Sequence, residues 1–119
     1  MVSSKILPLA VLSFVVPALA QGPATIYSQE PCNGESAEIQ ANNQCTPVPD
    51  SLSGSVTGVQ VPEDVVCNFY QDGNCEVPIL YSVEDPGICA FSEWDTDDNQ
   101  VSRVTASILC YDSTEEGSN

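Results

Sequence analysis

Hydrophobic and polar positions divide the chain into one long apolar opening and a series of short segments separated by turn residues. Ile6 to Pro17 is almost uninterrupted apolar sequence, preceded by Lys5 and followed by Ala18-Leu19-Ala20. A basic start, a short apolar run and small residues at the cleavage positions predict a secretory signal peptide over residues 1–20. The run falls short of the roughly 20 apolar residues that a bilayer-spanning helix needs. Beyond it, apolar residues cluster in short runs: Thr25-Ile26-Tyr27, Val56 to Val61, Cys67-Asn68-Phe69-Tyr70, Val77 to Tyr81, Ile88 to Phe91 and Val101 to Tyr111. Their enrichment in β-branched and aromatic residues predicts strands. Pro31-Cys32-Asn33-Gly34 and Asp72-Gly73-Asn74 read as turns, and Pro47, Pro49, Pro62, Pro78 and Pro86 argue against long helices. Residues 112–119 carry no apolar anchor, and a disordered acidic tail is expected there.

The pattern repeats itself. The cysteines form two triplets, Cys32-x12-Cys45-x21-Cys67 and Cys75-x13-Cys89-x20-Cys110, with spacings that agree within one residue. Ile26-Tyr27-x4-Cys32 corresponds to Phe69-Tyr70-x4-Cys75, and Ser53-Gly54-Ser55-Val56-Thr57-Gly58-Val59 to Asp98-Asn99-Gln100-Val101-Ser102-Arg103-Val104. Self-similarity at a fixed interval marks a duplicated structural unit. The units run over 24–66 and 67–111, each with about four short strands. The fold class that follows is all-β, a two-sheet Greek-key sandwich occupying one domain, 21–111.

Charge narrows the range of partners. The 119 residues hold seventeen Asp plus Glu against two basic residues, a formal charge of −15. Removal of residues 1–20 takes away Lys5 and no acid, leaving Arg103 as the one basic residue. Such a surface repels phosphate backbones and anionic lipid, so neither nucleic acid binding nor membrane insertion is expected. No N-x-Ser/Thr sequon occurs, and N-glycosylation is not expected.

All six cysteines, Cys32, Cys45, Cys67, Cys75, Cys89 and Cys110, lie after the signal peptide. An even count in a small exported chain predicts three disulfides, and fifteen connectivities are open to them. Each bridge stabilises such a small core by roughly 3 kcal/mol through the unfolded state. There is no His and no C-x-x-C pair, which removes Ser/His and Cys/His nucleophile systems and disfavours a zinc site. Carboxylate pairs such as Glu93 and Asp95 exist, but among seventeen acids a pair carries no signal for glycoside hydrolysis. A non-enzymatic protein is expected, with Trp94 buried in the core or covering a sheet edge.

The motifs resemble those of the βγ-crystallins. In that family each Greek-key unit carries aromatic-x4-aromatic-x-Gly, and calcium-binding members use an Asn/Asp-Asn/Asp-x-x-Ser/Thr-Ser loop. Tyr27-x4-Cys32-x-Gly34 matches with Cys for the second aromatic, and Tyr70-x4-Cys75-x-Val77 also loses the Gly. The resemblance implies that the first and fourth strands of a unit are neighbours. It therefore implies a Cys67–Cys110 bridge, with Cys32–Cys45 and Cys75–Cys89 as equivalent bridges within the two units. It also implies a calcium site on Asp98-Asn99-Gln100-Val101-Ser102-Arg103, with Asn99, Gln100 and Ser102 as oxygen donors. The matching run Ser53-Gly54-Ser55-Val56-Thr57-Gly58 lacks the acidic or amide positions, and Arg103 beside a cation is unfavourable. The competing reading is a polar turn in which Arg103 pairs with Asp97, Asp98 or Glu93. Calcium is the single candidate cofactor.

Signal peptide, size, acidity and six cysteines also resemble the small cysteine-rich secreted effectors of plant-pathogenic fungi, of the leaf-mould extracellular type. That resemblance implies a monomeric virulence protein of the apoplast that binds a host extracellular or receptor protein. The alternatives are a structural calcium-binding extracellular protein and a secreted toxin or inhibitor.

Overall fold

The computed structural model describes residues 22–116. The signal-peptide assignment at 1–20 lies outside the described residues. Eight strands form: β1 Ala24–Gln29, β2 Asn33–Ile39, β3 Cys45–Pro47, β4 Gly58–Gln60, β5 Val65–Tyr70, β6 Pro78–Glu84, β7 Gly87–Ile88 and β8 Ser107–Asp112. Two short 3-10 helices, Asp50–Leu52 and Phe91–Trp94, sit between the third and fourth strands of each half. The strands pair into two four-stranded antiparallel sheets, in the orders β2-β1-β4-β7 and β3-β8-β5-β6. Each half thus contributes its first, second and fourth strands to one sheet and its third strand to the other.

The core lies between the sheets. Ala24 and Ile26 of β1 face inward at 0 % exposure while Thr25 and Tyr27 are partly exposed, the alternation of a strand covered on one face. Val65, Cys67 and Phe69 face inward on β5, where Val66 and Tyr70 are buried too. Leu52 and Phe91, from the two 3-10 helices, join them, and Phe91 meets Phe69 edge to face at 5.4 Å. The fully buried Val56 and Val101 lie outside strands, in the loops that lead into β4 and β8. That explains why the expected strand Val101 to Tyr111 begins only at Ser107. Phe91 likewise opens a helix and does not end a strand. β2 escapes a hydrophobic reading because it is an edge strand: only Ile39 is buried along Asn33–Ile39. At the C-terminus β8 runs through Asp112 and Ser113–Glu116 form one helical turn, where an unanchored tail is expected from composition.

The crossing of the third strands decides the disulfides. Cys67 and Cys110 are register partners on adjacent β5 and β8 and form one bridge, with Cα atoms 4.1 Å apart. The other two bridges are Cys32–Cys89 and Cys45–Cys75. Expected pairings Cys32–Cys45 and Cys75–Cys89 are therefore corrected. Cys45 opens β3, which belongs to the sheet of β5, β6 and β8, and so reaches Cys75 in the β5–β6 connection. Cys89 follows β7, which belongs to the sheet of β1, β2 and β4, and so reaches Cys32 in the β1–β2 turn. Each bridge ties the hairpin of one half to the third strand of the other. The described cysteines are all oxidised, the chemistry of an oxidising compartment. Among the described residues no helix is long and apolar enough to cross a membrane.

Two glycines meet close backbone approaches. Gly34 has φ +76°, and a Cβ there would lie 2.6 Å from Ser28 Oγ and 2.8 Å from Gln29 Cγ. Gly87, at φ +110°, faces the Val59 carbonyl oxygen across the β4–β7 pair and leaves no room for a side chain.

Candidate functional site

The loop that joins the Phe91–Trp94 helix to β8 closes around the carboxylate of Asp95. Asp95 Oδ1 accepts the main-chain N–H of Val101 at 2.6 Å and of Ser102 at 2.9 Å, and Oδ2 accepts the Ser102 hydroxyl at 2.7 Å. The Ser102 hydroxyl, followed by the two main-chain donors, holds the Asp95 carboxyl below its ordinary value. Asn99 contributes its main-chain oxygen to the Thr96 N–H at 2.9 Å, and Gln100 Nε2 donates to the Ser102 carbonyl at 3.0 Å.

Of the three expected oxygen donors, the Ser102 hydroxyl is bonded to Asp95, whereas the bonds of Asn99 and Gln100 run through the Asn99 main-chain oxygen and the Gln100 side-chain nitrogen. The hydroxyl of Ser102 faces Asp95, and the amide nitrogen of Gln100 is turned onto the loop's own backbone. Among the described residues no three His, Cys, Asp or Glu side chains gather where they could hold a metal. Arg103 takes a left-handed conformation, φ +68°, and donates its main-chain N–H to Val56 O at 2.9 Å. Its side chain is exposed and, among the described residues, forms no ion pair with Asp97, Asp98 or Glu93. The residue that organises the turn is Asp95. Its partners lie six and seven positions downstream, a separation that matches no local turn motif.

A matching carboxylate organises the β5–β6 connection. Asp72 Oδ1 accepts the N–H groups of Val77 at 2.8 Å and Glu76 at 2.9 Å, and Oδ2 that of Asn74 at 3.2 Å. These bonds, led by that from Val77, lower the Asp72 carboxyl from its ordinary value.

Trp94 is not in the core; it lies beside residues of β6 and β7, the edge strands of the two sheets. It is 53 % exposed, at the end of a 3-10 helix held at both ends. At the start, the Glu30 carboxylate accepts the Ser92 N–H at 3.0 Å and the Ser92 hydroxyl at 2.8 Å. The Phe91 N–H donates to Thr57 O at 2.8 Å, and the neighbouring Cys89 is bridged to Cys32. Past the end, Asp95 is fixed by its loop. With Phe91 buried, Trp94 faces a cleft of about 220 Å³ shared with Leu80, Tyr81, Ser82, Glu84 and Ile88.

A β-bulge supplies the other aromatic wall. Cys67 pairs with Val83 and Phe69 with Leu80, so Asn68 alone stands opposite Tyr81 and Ser82. Asn68 Oδ1 accepts the Ser82 N–H at 2.7 Å, and Ser82 adopts φ +60°. The extra residue breaks the in–out alternation and leaves Tyr81 61 % exposed, its ring edge-on to Tyr70 at 6.1 Å. Nothing in the sequence marks this bulge beforehand.

No family model matches the sequence, and no curated protein matches it. Solved structures do match. A structure described as bearing on the evolution of the eye-lens βγ-crystallin domain fold superposes with a TM-score of 0.62 at 13 % identity, over 83 % of this chain and 94 % of that one. The swapped third strands and this superposition decide the architecture. The fold is that of a βγ-crystallin domain. A βγ-crystallin domain from Clostridium beijerinckii superposes at 0.53, with 16 % identity over 76 % of this chain and 98 % of that one. The N-terminal domain of protein S does so at 0.50, with 13 % identity over 76 % and 96 %. On this βγ-crystallin frame two disulfides tie one half to the other, each within a single sheet, the third joins neighbouring strands of the second half, and Trp94 and Tyr81 stand exposed in the second half.

Proposed function

We propose that the protein is a secreted, non-enzymatic binding protein of the effector type, acting in a host's extracellular space on an extracellular or receptor protein. The observation that carries this reading is the cross-linking. Cys32–Cys89 and Cys45–Cys75 each lock a hairpin of one half to a strand of the other, a construction suited to a small display scaffold exposed to proteases. The leader at residues 1–20 supports export. The absence of His and the oxidation of the cysteines leave no nucleophile–base pair of the usual kinds, so the action is binding. The acid excess supports association with a basic partner steered by charge. The test is infiltration of the purified, oxidised protein into leaves of varied host genotypes, together with deletion of its gene from the producing organism. The expected result is a genotype-dependent response and altered virulence. Uniform silence with unchanged virulence overturns the reading.

A further inference from the structure

We propose that the cleft between Trp94 and Tyr81 is the partner-binding site, and that it takes an arginine or lysine side chain from a basic segment of the partner. This rests on the proposed binding function and names its site and chemistry. Two large aromatic side chains that line one cleft are left 53 % and 61 % exposed. Both are placed there by specific structure: Trp94 by a helix fixed through Glu30, Cys89 and Asp95, and Tyr81 by the bulge opposite Asn68. Positioned aromatic faces attract cations that lie over them.

The charge around the cleft selects the same ligand. Glu84 is the only ionisable group among its lining residues apart from the Tyr81 phenol, and it is negative. Glu84 also lines a second concavity, of about 260 Å³, together with Asp64 and Asp85. No basic residue lines either space. A segment with one cationic side chain on the aromatic rings and another beside Asp64 and Asp85 therefore meets complementary charge along its length. A neutral oligosaccharide is a poorer match: the lining side chains of the aromatic cleft include no Asn, Gln or Arg to bond its hydroxyls, and only Ser82, Tyr81 and Glu84 are polar.

Trp94 is the chain's single tryptophan, so its emission reports on this site alone. The secreted chain, with disulfides intact, is titrated with end-capped hexa-arginine, and binding to the variants is followed by anisotropy of a labelled copy of that peptide. The expected result is a saturable change in Trp94 emission that weakens as salt is raised, and loss of about tenfold in affinity in Trp94→Ala and in Glu84→Gln. Trp94→Phe keeps an aromatic face and retains most of the affinity. Glu38→Gln removes the same charge from β2, at the opposite edge of its sheet from β7, and changes affinity by less than about twofold. Equal weakening by Glu84→Gln and Glu38→Gln, or binding that leaves Trp94 emission unchanged, overturns the proposal. So does salt-independent quenching by chitohexaose that displaces the peptide. A host protein retained equally by wild type and by Trp94→Ala also overturns the cleft assignment and leaves the binding function standing. Cleft binding of the peptide without any host response does the reverse.

Discussion

At the scale of single residues, two carboxylates do work that the sequence motifs assign to others. Asp95 and Asp72 each accept three hydrogen bonds from their own loops, and both are held below the ordinary aspartate value of about 3.9. A folded-state value below the unfolded one contributes stability that is complete above the unfolded value and is lost as pH falls through the folded value. Melting temperature is therefore expected to fall below about pH 4, and the fall should be shallower in Asp72→Asn combined with Asp95→Asn. An unchanged acid limb in that double variant contradicts the assignment. Glycine predictions separate by what stands in the way. Gly87→Ala drives a methyl into the Val59 carbonyl within the sheet, whereas Gly34→Ala meets side-chain atoms, Ser28 Oγ and Gln29 Cγ and Cβ, and no backbone. Both add the left-handed penalty of about 1–2 kcal/mol, and denaturant unfolding should place Gly87→Ala well beyond it. Thr105 runs the other way: it is 2 % exposed and its hydroxyl has no hydrogen-bond partner among the described residues. Thr105→Val is expected to be neutral or to stabilise by up to about 1 kcal/mol; a clear loss would reveal a partner for the hydroxyl.

At the scale of elements, the strands' hydrophobic faces were readable and their destinations were not. The β-branched runs around Ile26, Val59, Phe69 and Ile108 mark core strands by composition alone, and the matched cysteine triplets point to two similar halves. β2 and β3 are invisible because one is an exposed edge and the other three residues long with a proline at its end. No local pattern shows β3 and β7 crossing to the opposite sheet, so the residues alone leave the connectivity open, and the pairings implied by the family resemblance keep each bridge within its own half. The same limit hid the cleft, since Tyr81 and Trp94 are brought together only by the crossing and by the bulge at Asn68. Peptide mapping of the non-reduced protein should give Cys32–Cys89, Cys45–Cys75 and Cys67–Cys110; a Cys32–Cys45 peptide would mean that β3 stays with its own half. The loops closed span 57, 30 and 43 residues, so by chain entropy each bridge contributes about 4 kcal/mol, with Cys32–Cys89 the largest. By loop length, paired Cys→Ser variants should rank Cys32–Cys89, then Cys67–Cys110, then Cys45–Cys75 in loss of stability on a denaturant curve. Cys67–Cys110 is the exception to watch, since both its cysteines are fully buried and two hydroxyls in the core would add to the loss.

For the whole molecule, a formal charge of −15 over 119 residues makes the folded state repel itself, and added salt of any kind relieves that repulsion. A rise in melting temperature on adding calcium chloride is therefore no sign of a site unless ionic strength is matched. With that match, calcium and magnesium are expected to give the same melting temperature as chelator with sodium chloride, because the Ser102 hydroxyl is already bonded to Asp95 and the cationic Arg103 stands next to it in the loop. In place of an ion between charged groups, this loop carries an internal anion with main-chain donors around it. The decisive variants follow from that difference. Asp95→Ala should lower the melting temperature by several degrees whether calcium is present or not, since it frees two main-chain donors and the Ser102 hydroxyl together. Ser102→Ala removes only the hydroxyl and should have a smaller effect, equal in calcium and in chelator. A stabilisation specific to calcium, growing with its concentration and abolished in Ser102→Ala, would instead mean that the loop opens to exchange its contact with Asp95 for the ion.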